Sequence, residues 1–270
     1  MQILIAESWI KARKTIGAVY SKYHQDQCAM LGAALAFHSF FSIFPLLLLF
    51  VFLGGDLLAS SLVDDFLTKS LTQFVPIGLD TITEIITTIT ELRGTMGLIG
   101  LVGLLWNASS VFAVLETALN TIWRARPRGF WRKRMVATAS ILVLSLVFIT
   151  SVTIGQFLPR ALALIRLPGI QWISSFFVFL ALAFALHVFY RVFPNRKVPF
   201  RPAIAAAVAA AMSISAARFV FDIFINSTFA DYGAVYGSLA WIVSLALWSY
   251  VVATLFLLGA EFGSVLEGIH

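Results

Sequence analysis

Charged and amide side chains inside long apolar segments are the residues of this chain that could do chemistry. A charge in hydrocarbon is costly unless it is paired or hydrated, so each one is a candidate site. Arg218 and Asp222 stand four residues apart, which places both on one helical face and predicts an ion pair. Either they line a cavity in which Arg218 neutralises a phosphate or carboxylate, or the pair is only structural.

Glu116, His187 and Glu261 are expected at one depth, in the inner third of the membrane, and the sequence leaves open whether they share a cavity. Glu116 and Asn120 share a helical face, with Asn107 nearly opposite Glu116, and His187 and Glu261 belong to other segments. Two acids and a histidine at one depth could bind a cation, relay a proton or hold a headgroup. The alternative is that Glu261 lies in the interface and Glu116 pairs with the basic segment 124–134.

The stretch FHSFFSIFP contains one histidine and one proline within an apolar segment. His38 is a candidate for binding a substrate or ion, although a lone histidine on an apolar helix is more often a hydrogen-bonded packing residue. Pro45 removes a backbone donor, which predicts a kink and a candidate hinge.

Six apolar runs must position these residues. At about 1.5 Å rise per residue, each is long enough to cross about 30 Å of hydrocarbon as a helix. The runs are 28–53, 96–123, 136–158, 172–193, 203–225 and 237–262. We therefore predict an all-α integral membrane protein with six transmembrane helices in a single membrane domain, 1–270.

Composition excludes an ordinary soluble protein. Hydrophobic residues make up 60% of the chain and charged residues 12%, which leaves no polar surface for water. The net charge of +6 would suggest nucleic acid in a soluble protein, but here the bases flank the apolar runs. We therefore expect anionic lipid headgroups as partners at the basic cytoplasmic loops, and no nucleic acid.

The distribution of positive charge predicts the orientation. Fourteen of the 19 lysines and arginines lie before run 1, between runs 2 and 3, or around the junction of runs 4 and 5. The positive-inside bias places these segments and both termini in the cytoplasm. Residues 1–27 then form a cytoplasmic interfacial helix, and 54–95 an external amphipathic loop with two helices.

Small residues predict close helix packing in run 5. Ala203, Ala207, Ala211 and Ser215 recur at four-residue spacing. Small side chains let helix backbones approach where apolar burial gives no drive for association. This face is compatible with either a monomer or a homo-oligomer.

Motifs of soluble enzymes are absent from the sequence. It contains no P-loop, HExxH, CxxC or GxSxG, so we predict no ATP hydrolysis by this chain, no catalytic residues, no metal site and no cofactor. A single cysteine also excludes an intramolecular disulfide.

Several segments resemble the YihY/BrkB family of bacterial membrane proteins over about residues 25–265. They are ALAFHSFFSIFPLLLL, LWNASSVFAVLETALNTIWRARPRGFWRKR, YRVFPNRKVPFRPA and YGSLAWIVSLALWSYVVATLFLLGAEF. The resemblance implies a six-helix inner-membrane protein linked to virulence and envelope phenotypes and suspected of moving lipids. The family was once labelled ribonuclease BN, but this chain has no catalytic cluster. His38 replaces the tyrosine usual in the family.

Together these observations favour a transporter of the bacterial cytoplasmic membrane, such as a lipid or amphiphile flippase or exporter. Without a nucleotide motif, movement would be passive or driven by an ion gradient. The main alternative is a structural or regulatory envelope protein that transports nothing. A membrane-embedded enzyme would need several carboxylates or histidines around one pocket, and a channel would need a continuous polar path.

Overall fold

The computed structural model describes residues 2–54, 98–136, 138, 170–236 and 238–269, with side chains omitted at 2–12, 43–54, 98–108, 170–175, 177 and 225–241. Every regular element within these ranges is helical. The long helices are α1 (Gln2–Gln25), α2 (Cys28–Gly54), α3 (Leu98–Ile122), α4 (Ile170–Val192), α5 (Phe200–Tyr236) and α6 (Ser238–Leu266). A short helical stretch also occupies 130–136.

Helices α2 to α6 coincide with apolar runs 1, 2, 4, 5 and 6. Almost all of run 3 (136–158) and of the predicted external loop (54–95) lies outside the described residues. Helix α5 continues to Tyr236, past the predicted end at 225. Loss of hydrophobicity ends a membrane run but does not end a helix, and no proline interrupts this part of the chain.

Helix α3 ends in a C-capping turn that folds the following loop back onto the helix. Arg124 adopts φ 51°, in the left-handed region, and the Ala125 amide donates to the Asn120 carbonyl at 2.8 Å. This bond is the six-to-one bond of a Schellman motif. Helix α6 ends in the same way at Gly268, whose φ is 83°. Both turns keep the loops close to the helix ends.

Helix α6 occupies the centre of the described bundle. It contacts α1, α2, α3 and α5, while α2 also packs on α3 and α4 on α5. Side chains on α6 can therefore meet groups from most of the other described helices.

The closest helix contact joins α5 to two glycines of α6. A Cβ atom at Gly259 would lie 2.6 Å from Ala210 Cβ, and one at Gly263 would lie 2.7 Å from Ala206 Cβ. The glycines are four residues apart, as in the GxxxG pattern that lets membrane helices touch along their backbones. Because these two glycines have no Cβ atom, α5 and α6 can approach to this distance.

The small-residue face predicted on run 5 is largely observed. Ala203, Ala207 and Ala211 are buried, as expected for a packing face. Ser215 is the exception, because it is exposed and borders a cavity instead of packing against a helix. The sequence pattern did not identify the glycines of α6 as the partners of this face.

Much of the apolar surface of these helices faces outward. The windows Phe200–Phe224 and Ile242–Leu266 are long and apolar enough to cross a membrane, yet only 33% and 44% of them are buried. The core helix of a soluble protein would be mostly covered. Large apolar side chains are exposed on several helices, including Phe37, Phe176, Phe184, Met212, Phe219 and Val243. Such a surface suits hydrocarbon better than water.

Replacing Gly259 with alanine should force α5 and α6 apart. The new methyl group would meet Ala210 and the Tyr190 hydroxyl at distances below 3.0 Å. We expect a destabilisation of about 1–3 kcal/mol, the usual cost of overpacking. The measurement is the thermal unfolding midpoint of the purified protein in detergent.

Gly17→Ala is the matched control, because a Cβ atom at Gly17 in α1 would meet nothing within 4 Å. This variant should be neutral or slightly more stable, since alanine favours a helix. Equal midpoints for the two variants would show that the α5–α6 contact is not tight.

Candidate functional site

Two loops and the end of α6 meet at one end of the bundle, which we call the charged end. The loops are 123–129, after α3, and 193–199, between α4 and α5. Asn195 Nδ2 donates to the Arg126 carbonyl at 2.9 Å, and Arg196 Nη1 donates to the Trp123 carbonyl at 3.0 Å. Arg196 Nη2 also pairs with Glu267 Oε1 at 2.5 Å. These bonds join the two loops to each other and to α6.

A buried ionic cluster lies at this end, with Lys22 at its centre. The Lys22 ammonium donates to Asp26 Oδ2 at 3.0 Å, Glu261 Oε2 at 2.9 Å and the Ile122 carbonyl at 2.7 Å. Its three donors are therefore all used, although Lys22 is only 3% exposed. One side chain thus connects α1, α3 and α6.

The remaining carboxylate oxygens of the cluster also have partners. Glu261 Oε1 accepts from Cys28 Sγ at 3.1 Å, and Asp26 Oδ1 accepts from Arg124 Nη1. Two bases then balance two acids. A buried ion pair offsets its desolvation only when such additional hydrogen bonds are made, and this cluster meets that condition.

Glu116 belongs to a separate cluster. Its Oε1 accepts from Asn120 Nδ2 and pairs with Arg128 Nη1, both at 3.3 Å. Asn120 Oδ1 in turn accepts from the Asn195 amide at 2.7 Å. Of the two alternatives left open by the sequence, the pairing of Glu116 with the basic segment 124–134 is the one observed.

Lys133, another base of the segment 124–134, also contacts α3. Its ammonium donates to Thr117 Oγ1 at 2.6 Å. Burial lowers the pKa of the Lys133 ammonium from its ordinary value, and the charge of Glu116 acts in the opposite direction. The basic segment is therefore partly packed against the helix end.

The other predicted residues do not join these clusters. His187 packs edge-on against the Phe200 ring at 5.0 Å, and its buried Nδ1 has no hydrogen-bond partner among the described residues. The sequence left open whether Glu116, His187 and Glu261 share one cavity, and among the described residues no hydrogen bond or ion pair joins these three side chains. His38 is partly buried beside Phe37, with ring centroids 5.6 Å apart.

The side chains of Asn107 and Pro45 lie outside the described residues. Asn107 falls within α3, and α2 continues past Pro45 without interruption to Gly54. The hinge at Pro45 stays a prediction.

A layer of aromatic rings separates the charged end from a cavity, and we call it the aromatic layer. Phe112 and Phe193 stack at 5.7 Å, Phe189 and Phe193 lie 5.2 Å apart, and Tyr190 and Phe256 4.9 Å apart. The Tyr190 hydroxyl donates to the Phe256 carbonyl at 2.7 Å. The tight ring packing closes the bundle at this level.

A cavity of about 1030 Å³ opens on the far side of the aromatic layer. Side chains of α2 to α6 line it, and most of them are apolar, including Leu35, Leu115, Leu182, Ile214, Val252 and Phe256. Its few polar groups are Ser39, Ser215, Arg218, Asp222 and Ser249. An apolar cavity with a few polar groups is typical of a site for a small amphiphilic molecule.

The Arg218–Asp222 pair is the charged part of this cavity. Arg218 Nε and Asp222 Oδ2 lie 3.9 Å apart, in agreement with the ion pair predicted from their spacing. Their side chains are 38% and 49% exposed, in contrast to the buried ionic cluster. At about 1.5 Å per residue, Arg218 lies about 27 Å along α5 from Phe200, far from the charged end.

The described residues do not form an evident metal site. Within them, no three His, Cys, Asp or Glu side chains are grouped so that they could hold a metal ion. The arrangement can instead hold a charged or dipolar group beside apolar walls.

Sequence reasoning missed most of the buried ionic cluster. Glu261 was recognised, but Lys22, Asp26, Cys28 and Arg124 were not assigned to it. One signal was available, since Lys22 and Asp26 have the i,i+4 spacing of a helical ion pair. The contact of Lys22 with Glu261 joins residues 239 positions apart and depends on the packing of α1 on α6.

Comparisons with known proteins agree with this membrane-type architecture. The family described as Virulence factor BrkB matches residues 19–269. A UPF0761 membrane protein of Acinetobacter baylyi is 27% identical over 93% of this chain and 62% of its own length. A UPF0761 membrane protein of Idiomarina loihiensis is 31% identical over 59% of this chain and 57% of its own length.

A protein of Bacillus subtilis named ribonuclease-like YfkH is 28% identical over 92% of this chain and 94% of its own length. The chain thus spans about three fifths of the length of these two UPF0761 relatives but nearly all of YfkH. No solved structure matches the chain.

Removing the Lys22 ammonium should destabilise the protein strongly. Lys22→Met would leave Asp26 and Glu261 buried with fewer partners, and breaking one side of a buried ion pair costs about 3–5 kcal/mol. The double variant Lys22→Met/Glu261→Gln should lose much less than the sum of the two single variants, because the orphaned charge is removed. Thermal unfolding in detergent measures both effects.

Lys14→Met is the control, because Lys14 is exposed on the same helix. It should leave the midpoint unchanged. If Lys22→Met behaved like Lys14→Met, the buried ionic cluster would not stabilise the fold.

Proposed function

The chain is a membrane protein of the virulence factor BrkB family, and we propose that it moves amphiphilic molecules across the bacterial cytoplasmic membrane through the Arg218 cavity. The observation that carries the proposal is the cavity itself, where an arginine and an aspartate sit among mainly apolar walls. An amphiphile has the same two parts, a polar headgroup and apolar chains.

The proposed topology has six transmembrane helices and both termini in the cytoplasm. Support comes from the charged end, where the ends of α1, α3 and α6 and the loops 123–129 and 193–199 lie together. Bases are concentrated in these segments, as the positive-inside bias requires for the cytoplasmic face. The Arg218 cavity then lies towards the outer half of the membrane.

The cavity suits a headgroup that is passing through the bilayer. Arg218 offers up to five N–H donors to a phosphate or carboxylate, and the exposed Ser215 adds a hydroxyl group. Leu182, Ile214 and Val252 provide apolar contacts for chains that remain in lipid. The polar group would thereby avoid the cost of entering hydrocarbon unpaired.

Passage to the cytoplasm requires the charged end to open. The aromatic layer and the two ion-pair clusters lie on that side of the cavity and are closely packed. This arrangement corresponds to a state closed towards the cytoplasm. Alternating access would separate these contacts and re-form them.

The sequence contains no nucleotide-binding motif that could couple transport to ATP hydrolysis. With no nucleotide-binding motif, movement is passive or driven by an ion gradient through the buried acids. We assign the chain no enzymatic activity.

Anionic lipids are proposed as partners at the cytoplasmic surface. Arg126 and Arg132 are exposed beside the exposed rings of Phe130 and Trp131. Aromatic side chains favour the headgroup level, and each base near an anionic surface contributes about 1 kcal/mol of attraction. The segment 126–132 would therefore bind the charged end to the headgroups of the inner leaflet.

A structural or regulatory role without transport is the alternative. The buried ion pairs of Lys22 favour this alternative, since fully partnered charges hold helices together. A bundle with only that role has no need for a cavity that holds charged side chains among its helices, so the cavity favours transport.

Cysteine accessibility tests the topology. Pro127→Cys and Lys197→Cys, each made with Cys28→Ala, place a thiol at an exposed position of a charged-end loop. We expect a membrane-impermeant thiol reagent to label them in broken cells but not in intact cells whose outer membrane has been permeabilised. Labelling in intact cells would place the charged end outside and reverse the topology.

Arg218→Ala should abolish transport while the protein still folds. The assay reconstitutes the protein in liposomes and follows the transbilayer movement of a tail-labelled fluorescent phosphatidylethanolamine. Removal of the guanidinium leaves the headgroup without its counter-charge, so the rate should fall at least tenfold. Arg201→Ala, which removes an exposed arginine near the other end of α5, should retain the rate. Equal rates for both variants would remove Arg218 from the mechanism.

A further inference from the structure

We infer that the Arg218 cavity selects amphiphiles with a zwitterionic headgroup, one that carries both a phosphate and an ammonium. This inference rests on the proposed function and specifies its substrate class. It comes from the second charge of the cavity, because Asp222 accompanies Arg218 on the same wall.

Arg218 and Asp222 only partly satisfy each other. Their closest atoms are 3.9 Å apart, beyond the distance of a hydrogen bond. The structure records no hydrogen bond to either side chain from another described residue. The guanidinium thus keeps donors for an anion, and the carboxylate keeps acceptors for a cation.

A headgroup of one sign fits this pair poorly. An anion bound at the guanidinium would lie close to the Asp222 carboxylate and be repelled by it, because a cavity walled by apolar groups screens charge weakly. A lone cation at Asp222 would meet the same difficulty with Arg218. A headgroup with both charges can place phosphate on Arg218 and ammonium on Asp222, so both contacts are favourable.

Neighbouring side chains support this assignment. Trp248 lines the cavity, and its ring lies 5.0 Å from that of Phe221, the residue before Asp222. An indole that lines the same cavity as a carboxylate is a further group that attracts an ammonium, since aromatic faces attract cations. Ser215 lies one turn before Arg218 on α5 and offers a hydroxyl to the phosphate side. The polar groups are thus arranged with an anion site and a cation site next to each other.

The test compares two phospholipids that differ only in the headgroup. Short-chain dihexanoyl phosphatidylethanolamine is zwitterionic, and dihexanoyl phosphatidylglycerol with the same chains is anionic. Binding to the full-length protein in detergent is measured by the concentration dependence of the thermal unfolding midpoint. The native protein should bind the zwitterionic lipid about tenfold more tightly, the range expected for one additional charged hydrogen bond.

Asp222→Asn should remove this preference, because the neutral amide gives the ammonium no counter-charge, and binding of the anionic lipid should not weaken. Asp222→Glu should retain the preference, which keeps the test decisive if the asparagine variant folds poorly. Arg218→Gln should weaken binding of both lipids, and Arg201→Gln should change neither.

The outcomes separate this inference from the proposed function. If the native protein binds both lipids equally in an Arg218-dependent manner, or if Asp222→Asn keeps the preference, the zwitterion assignment is wrong and the amphiphile site stands. If neither lipid binds and neither tail-labelled analogue moves across liposomes containing the protein, both proposals are wrong.

Discussion

The Lys22 ammonium is the interaction on which the described bundle most depends. It reaches the Asp26 carboxylate in the turn just after its own helix, a carboxylate on α6 and the last carbonyl of α3, with almost no contact with water. A lysine placed in this way is stable only if every partner is present, because each unpaired buried charge is costly. The cluster therefore determines how the N-terminal helix, the third helix and the last helix meet.

The two halves of the described bundle use charge differently. At the charged end, Lys22, Asp26 and Glu261 are buried with all of their charged atoms partnered, and the aromatic layer lies between them and the cavity. In the cavity, Arg218 and Asp222 are half exposed and weakly paired. Saturated charges hold helices together, whereas partly satisfied charges can accept a ligand. This contrast is the physical reason for assigning binding to Arg218 and not to Glu261.

Local features of this protein were predictable from its sequence, but long-range contacts were not. Hydropathy located the apolar helices, and four-residue spacing identified both the Arg218–Asp222 pair and the alanine face of α5, since these depend on one helix at a time. The contact of Lys22 with Glu261 and the fit of Gly259 against Ala210 depend on which helices become neighbours. Hydrophobic periodicity carries no information on that choice, so these residues could not be assigned to their partners.

The two glycines of α6 have a consequence for motion. Helices in backbone contact along two turns cannot slide or tilt independently without a steric clash, so α5 and α6 should behave as one rigid body. Arg218 on α5 and Trp248 on α6 would then keep a constant separation throughout any cycle. Any rearrangement would then be a movement of α1, α2, α3 and α4 relative to the rigid α5–α6 pair. A headgroup bound at Arg218 would stay on α5, and the moving helices would change which side of the membrane it is exposed to.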